Sequence, residues 1–159
     1  MLKVRLAAAS LGIAILLPLV PALLAQAPAA PIPSQILTAK KVFISNAGGE
    51  YDAGIWSGGR ERSYNEFYAA MKSWGRYELV SSPGDADLVF QVGLRYFTTF
   101  PRFKLTVLDP KTQIALWTFV EIVPIDGSQK NRNKNFDNGI DQLVSDLKAL
   151  TAQPAPVAK

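Results

Sequence analysis

The chain has 159 residues, with 17 Lys or Arg and 13 Asp or Glu, and it contains neither cysteine nor histidine. These absences exclude disulfides, zinc sites built from Cys or His, and catalysis by Ser-His-Asp, Cys-His or haem-histidine arrangements. Any catalysis would have to use carboxylates, Lys, Tyr, Ser or Thr. The sequence therefore predicts no cofactor, no metal site and no catalytic residue.

Residues 1–27 have the pattern of a secretory signal peptide. Lys3 and Arg5 form a basic start, an uncharged apolar run follows over 6–25, and small residues lead to a cleavage position after Ala27. The alternative is an uncleaved inner-membrane anchor, because about 20 apolar residues can span a bilayer. We therefore expect a periplasmic or secreted protein, with anchoring in the inner membrane as the alternative.

The signal segment also accounts for part of the net charge. Without Lys3 and Arg5 the chain has 15 positive and 13 negative charges, a net charge of +2. This excess is too small to favour nucleic acid or an anionic membrane as a partner. We expect no nucleic-acid partner, and membrane contact only if the signal is uncleaved.

Composition divides the rest of the chain into three parts. Residues 28–37 are rich in Pro and Ala and predict a linker, and residues 152–159 have the same character and predict a disordered tail. Residues 38–151 are expected to form a single domain.

The first half of this domain predicts a strand, a loop and a helix. The strand covers 41–45, and a glycine-rich loop follows over 46–60. The helix begins at Ser63, which forms a capping box with Glu66, and it ends before Gly75, a typical left-handed terminator.

Alternating apolar residues predict four further strands, at 77–80, 88–96, 103–107 and 113–123, and a 3.6-residue period predicts a last helix from Asn135. The order is β-α-β-β-β-β-α. Two amphipathic helices and alternating strands indicate an α+β two-layer sandwich, in which helices cover one face of a mostly antiparallel sheet.

Five short segments carry a resemblance to known proteins. They are the strand segment 40–46, the helix end 73–76, the strand entry 86–90, the hairpin 107–112 and Leu-Trp at 116–117. This pattern resembles uncharacterised small secreted proteins of Gram-negative-type bacteria and, more distantly, the envelope domains of CsgG-type proteins and the TolB amino-terminal domain. The resemblance implies an envelope domain that binds or assembles with other molecules, and it transfers no catalytic residues.

The glycine-rich loop is a weak candidate anion site, because it lies between a strand and a helix amino terminus. The residues of this candidate site are Gly58, Gly59, Arg60 and Arg62. The loop lacks a P-loop and a GxGxxG pattern. The alternative is a surface loop packed onto the domain through Tyr51, Ile55 and Trp56.

The last predicted strand provides a candidate interface. If its aliphatic residues face the helices, Trp117 and Phe119 face outward and share the open face with Arg95 and Lys104. An exposed aromatic pair among polar residues is typical of an interaction surface. The alternatives are that the loop 46–60 covers this face, or that the strand is central and buried.

Carboxylates provide the only conceivable catalytic pair. Glu50, Asp52 and Glu61 cluster around the loop, whereas Glu121 and Asp126 lie far away in sequence. Nothing in the sequence fixes a separation between two of them or a raised pKa, so solvated charge is the expected state.

These observations predict an exported bacterial envelope protein whose domain binds or assembles without catalysis. Its expected partner is another envelope protein or a second copy of itself. The alternatives are a carboxylate-based envelope hydrolase and an accessory protein tethered by an uncleaved signal anchor.

Overall fold

A computed structural model describes residues 30–49, 55–97 and 100–153, with only the backbone for residues 96 and 97. The predicted signal peptide and most of the predicted tail lie outside the described residues. Residues from Pro31 onward belong to one compact unit. Within the described ranges, no helix is long and apolar enough to cross a membrane.

The elements follow one another as a short helix, a strand, a helix, four strands and a long helix. Their bounds are α1 Ser34–Thr38, β1 Lys41–Gly49, α2 Arg62–Trp74, β2 Glu78–Leu79, β3 Leu88–Phe97, β4 Phe100–Leu108, β5 Ala115–Ile122 and α3 Gln129–Thr151, with a 3₁₀ turn at Pro83–Asp85.

The sheet has the order β2-β1-β3-β4-β5. Strand β1 is parallel to both β2 and β3, because α2 provides the crossover that a parallel β1–β2 pair requires. The pairs β3–β4 and β4–β5 are antiparallel. The predicted α+β class is confirmed, and the sheet is mixed: parallel pairing occupies one half and antiparallel pairing the other.

One face of the sheet packs against the helices and forms the core. Its side chains come from alternate positions of the strands: Val42, Ile44, Leu88, Phe90, Val92, Leu94, Phe103, Leu105 and Val107. The helices add Phe67, Met71, Phe136, Ile140, Leu143 and Leu147. Full burial of one such side chain is worth about 1.5–3 kcal/mol, so this face dominates the stability of the domain.

Three predicted boundaries were wrong. The predicted linker contains α1, whose Ile36 is completely buried in the core. Helix α2 begins at Arg62, so Ser63 lies inside its first turn and is buried without forming the capping box. Helix α3 begins at Gln129, where the Ser128 hydroxyl accepts from the N–H of Asn131, so it starts six residues before the predicted Asn135.

Two acidic residues of the resemblance motifs hold the chain at its turns. The Asp87 carboxylate accepts from the backbone N–H groups of Lys40 and Lys41 at 2.8 and 2.9 Å, fixing the start of β1 beside the start of β3. Asp109 accepts from the N–H of Lys111 at 2.7 Å and so closes the β4–β5 turn. Both residues therefore stabilise the fold.

We predict that Asp87→Ala lowers the free energy of unfolding by about 1 kcal/mol at neutral pH, because two charge-assisted hydrogen bonds are lost at an exposed site. The two N–H groups hold the pKa of Asp87 below its usual value. Its contribution is therefore present above the unfolded-state pKa of about 4 and disappears as the pH falls through the lower folded-state pKa.

Urea unfolding of wild type and variant across the acidic range measures this difference. Asp85→Ala, which removes an exposed carboxylate two residues away, is the matched control and should be neutral within about 0.5 kcal/mol. A deficit of Asp87→Ala that persists unchanged at the most acidic pH would contradict the assignment.

Candidate functional site

The sheet face opposite α2 and α3, here called the open face, carries the candidate site. Alternate residues of β3, β4 and β5 point to it, and among the described residues no helix covers it. Arg95, Arg102 and Lys104 are exposed there on two neighbouring strands. No carboxylate of β3, β4 or β5 points to this face, because these strands contain one acidic residue, Glu121, which points to the helices.

The open face contains a shallow depression with a volume of about 140 Å³. Its lining residues are Ala47, Gln91, Gly93, Arg95, Lys104 and Thr106. Arg95 donates to the carbonyl of Ala47 at 3.1 Å and joins β3 to β1. Gly93 is required for this close approach, since a Cβ at that position would lie 2.6 Å from the carbonyl oxygen of Gly48.

Trp117 and Phe119 are not on the open face, so that part of the predicted interface is wrong. Trp117 pairs with Val107 and Phe119 with Leu105, both completely buried against the helices. Because directly opposed residues of an antiparallel pair share a face, the two aromatic side chains point toward the helices. They are half-buried and pack against the core.

The aliphatic residues of β5 point the other way. Val120 and Ile122 lie on the open face with 50% and 54% of their surface exposed. The sequence prediction had reversed the two sides of β5. Arg95 and Lys104 are located as predicted on the open face, and their neighbours there are Val120 and Ile122 rather than the aromatic pair.

We expect Trp117→Ala to destabilise the domain by about 2–3 kcal/mol, somewhat less than truncation of a fully buried Trp. Thermal or urea unfolding measures the change. Thr118→Ala, the adjacent position on the open face, is the control and should be close to neutral. Lost partner binding by Trp117→Ala at an unchanged melting temperature would instead mark Trp117 as an interface residue.

The candidate anion site in the glycine-rich loop is occupied by the protein's own groups. The Arg62 guanidinium bonds the carboxylates of Glu66 and Asp137 and donates to the Ser57 carbonyl at 2.9 Å. It also lies 4.2 Å from the centre of the Phe136 ring. With 12% of its side chain exposed, Arg62 joins the loop to both helices and is not available to an external anion.

The remaining loop residues fit this structural role. Trp56 is completely buried and meets the Phe136 ring edge-on, and Ile55 packs against the core. Gly58 leaves room for the stem of Arg62, because a Cβ there would lie 2.7 Å from its Cδ. Arg60 is exposed, and Gly59 adjoins it in the turn before α2. Tyr51 lies outside the described residues.

Burial has the largest effect on the pKa of Glu66, one of the two carboxylates bound by Arg62. Desolvation raises the pKa of Glu66 despite the opposing effect of the Arg62 charge, and the nearby Asp137 carboxylate raises it further. Arg62 compensates the charge of the partly buried Glu66 carboxylate, whereas the Asp137 carboxylate is 55% exposed.

We predict that Arg62→Ala lowers the free energy of unfolding by about 2–3 kcal/mol, because the partly buried Glu66 carboxylate loses its counter-charge and the loop loses its hydrogen bond from Arg62. Arg60→Ala removes the same charge two residues earlier at an exposed position and should be nearly neutral. Urea unfolding of both variants provides the comparison, and equal, small effects would show that Arg62 has no structural role.

Glu121 is a second carboxyl group whose surroundings raise its pKa. Burial raises the pKa of Glu121 on β5, and the neighbouring Asp146 carboxyl on α3 raises it further. Asp146 accepts from the Gln142 amide at 2.8 Å. Glu61 accepts from the Asn46 amide. Of the other acidic candidates, Asp126 is exposed, and residues 50 and 52 lie outside the described ranges.

Of three comparisons with known proteins, the comparison with solved structures gives matches. No family model matches the sequence. No curated protein matches it either. The fold is similar to that of a point-mutant PelC dodecamer from Paraburkholderia phytofirmans, with 12% identity, a TM-score of 0.50, and coverage of 68% of this chain and 87% of that chain. At this identity the likeness establishes the shared fold.

Two further bacterial structures are more distant. A Xanthomonas campestris protein of family DUF330 is 14% identical with a TM-score of 0.46, covering 76% of this chain and 88% of that one. An uncharacterised lipoprotein B from Nitrosomonas europaea is 11% identical with a TM-score of 0.39, covering 79% and 88%. These comparisons do not test the resemblance to CsgG-type and TolB domains, which stays a prediction.

Proposed function

We propose that this chain is an exported, non-catalytic domain of the bacterial envelope that self-associates through the free edge of β5. The observation that carries the proposal is that, within the part of the chain that the structure describes, β5 ends the sheet as a full-length strand without a neighbour on its outer side. An unpaired strand edge offers a row of backbone donors and acceptors to a second chain.

The hydrogen-bond pattern identifies the free groups. The N–H of Val123 donates to the Pro101 carbonyl at 2.9 Å, on the β4 side. Because bonded and non-bonded pairs alternate along an antiparallel ladder, the N–H groups of Thr118, Val120 and Ile122 point away from β4. These three donors, with the carbonyls of the same residues, form the free edge.

The β5 edge has two of the devices that normally limit strand pairing, a bulge at Leu116 near its start and the inward-pointing charge of Glu121, and neither blocks the backbone of residues 118–122. It contains no Pro and no Lys, and its single charged side chain, Glu121, is directed toward α3. Two exposed aliphatic residues, Val120 and Ile122, flank the free N–H groups. By contrast, the opposite edge of the sheet, β2, is only two residues long and therefore provides little backbone for pairing.

The favoured partner is a second copy of this chain. Two β5 strands paired antiparallel about a two-fold axis would present the same residues to each other, as a closed symmetric interface requires. The similar PelC structure is a dodecamer, which supports self-association of this fold. Another envelope protein contributing one strand is the alternative occupant.

Export rests on the sequence pattern of residues 1–27, and either a cleaved signal or a retained anchor is compatible with assembly in the envelope.

The carboxylate-based hydrolase has one structural argument, the Glu121–Asp146 pair. That pair lies between β5 and α3, away from the depression on the open face. We therefore favour assembly over catalysis.

We predict that Val120→Pro weakens self-association of the full chain at least tenfold, because it removes an outward N–H and leaves the β4–β5 ladder intact. Sedimentation velocity over a concentration series measures the dissociation constant. Val120→Thr retains the N–H and a β-branched shape, and it should associate like the wild type within about threefold.

Circular dichroism melting confirms that both variants are folded. The proposal fails if the wild type is monomeric throughout the series, or if folded Val120→Pro associates as tightly as the wild type.

A further inference from the structure

Side-chain donors surround the depression on the open face and lack acceptors. Lys104, Gln91 and Thr106 form no side-chain hydrogen bond with the described part of the chain, and Arg95 makes one, to the Ala47 carbonyl. Thr106 is 8% exposed. Ammonium and guanidinium groups are donors only, so the depression combines several unused donors with no competing carboxylate.

The charge arrangement is unfavourable for the isolated domain. Arg95 on β3 lies directly opposite Arg102 on β4, and like charges in this position destabilise a sheet. Lys104 follows two residues along the same face. Among the described residues, none of these three cations forms an ion pair, whereas Arg62 on the other side of the domain forms two. An external anion would relieve this repulsion.

Net charge conceals this arrangement because it averages over both sides of the domain. The acidic residues Glu66, Asp137, Asp141 and Asp146 lie on α2 and α3, on the opposite side of the sheet. The net charge of +2 therefore does not describe the open face, where three cations from neighbouring strands stand without an acid from β3, β4 or β5.

Size limits the part of a ligand that can enter. A volume of about 140 Å³ is well below the roughly 300–1,000 Å³ of pockets that enclose whole small molecules. The depression fits one compact anionic group with the rest of its molecule outside. Donors from Lys, Arg, Thr and an amide are the set that binds phosphate oxygens.

Apolar side chains beside the cations indicate what the anionic group is attached to. Val120 lies directly opposite Lys104, and Ile122 directly opposite Arg102, all on the open face. Phe100, at alternate spacing from Arg102 on β4, is 47% exposed. Cations next to exposed aliphatic and aromatic residues on one surface are what adsorption to an anionic bilayer requires.

We propose that the depression binds the phosphate of an anionic phospholipid headgroup, so that the open face lies against a membrane surface. A second copy of this chain is disfavoured as the occupant, because its own open face presents the same cations. The proposal concerns the face of the sheet and does not depend on pairing at the β5 edge.

Vesicle co-sedimentation of the full chain tests the proposal. Equimolar phosphatidylglycerol and phosphatidylcholine vesicles are compared with pure phosphatidylcholine vesicles. Lys3 and Arg5 of the amino terminus also favour the anionic vesicles, but they are present in every variant, so their contribution cancels when variants are compared with the wild type. We expect binding to the anionic vesicles to be stronger and to weaken with added salt. Because each cation near an anionic surface contributes about fivefold, Arg95→Glu/Lys104→Glu should reduce the difference at least about tenfold.

Lys130→Glu/Lys134→Glu is the matched control, because it also reverses two charges, at exposed positions in the first two turns of α3, where acids suit the helix dipole. It should retain most of the preference for anionic vesicles. Equal binding to both vesicle types, or equal losses in the control and in Arg95→Glu/Lys104→Glu, overturns the proposal. Circular dichroism establishes that the variants are folded.

Two competitors separate the lipid from other anions. Inorganic phosphate titrated by NMR is expected to shift the amides around Gly93 weakly, and vesicle binding should persist in its presence. Saturation by free phosphate together with no vesicle binding would overturn the lipid assignment. So would binding of polyglutamate at Arg95 and Lys104 without vesicle binding, which would indicate an acidic protein. Monomeric Val120→Pro should still bind anionic vesicles, so the two proposals fail separately.

Discussion

The alternation of side chains along β4 is the constraint on which the rest of the domain depends. Phe103, Leu105 and Val107 are completely buried under the helices, with Phe103 4.7 Å from the ring of Phe136 on α3. Antiparallel pairing then fixes the orientation of β3 and β5, because opposed residues share a face. A one-residue slip of β5 would bury Thr118 and expose Trp117. The core occupies every second position of these strands. The cations and aliphatic residues at the remaining positions therefore lie on the open face.

A second junction, around Arg62 in the first turn of α2, joins α2 to α3. An arginine in the first turn of a helix opposes the helix dipole. Arg62 is nonetheless favourable there, because Glu66 and Asp137 supply two carboxylates and Phe136 supplies a ring face. The glycine-rich loop thus ends in a charged cluster that is internal to the protein. Its sequence resembles an anion site because arginine near a helix start is common to both arrangements.

The fold class and most element positions could be predicted because the 2.0 and 3.6 periods are strong in this chain. The side of the sheet to which each β5 residue points could not be predicted, because β5 has apolar residues on both faces, and only its pairing with β4 distinguishes them. These residues are Leu116, Trp117, Phe119, Val120 and Ile122. The start of α3 was missed because its first turns are polar and lie beyond the core. Arg95 and Lys104 were found because they occupy the polar positions of clearly alternating strands, whereas Arg102 precedes the predicted strand.

Pairing at the edge of β5 and binding of a membrane surface by the open face are geometrically compatible. In a two-fold β5–β5 pair, the cations on the two β4 strands are separated by three strand spacings, or about 14 Å. This distance exceeds the Debye length of about 8–10 Å at physiological ionic strength, so repulsion between the two clusters is largely screened. Val120 and Ile122 of both copies would lie between the clusters. Extension of the sheet would therefore produce a single apolar strip with cations on both sides. Because two cation clusters then bind the same surface, adsorption to an anionic membrane becomes stronger without any new contact within the domain.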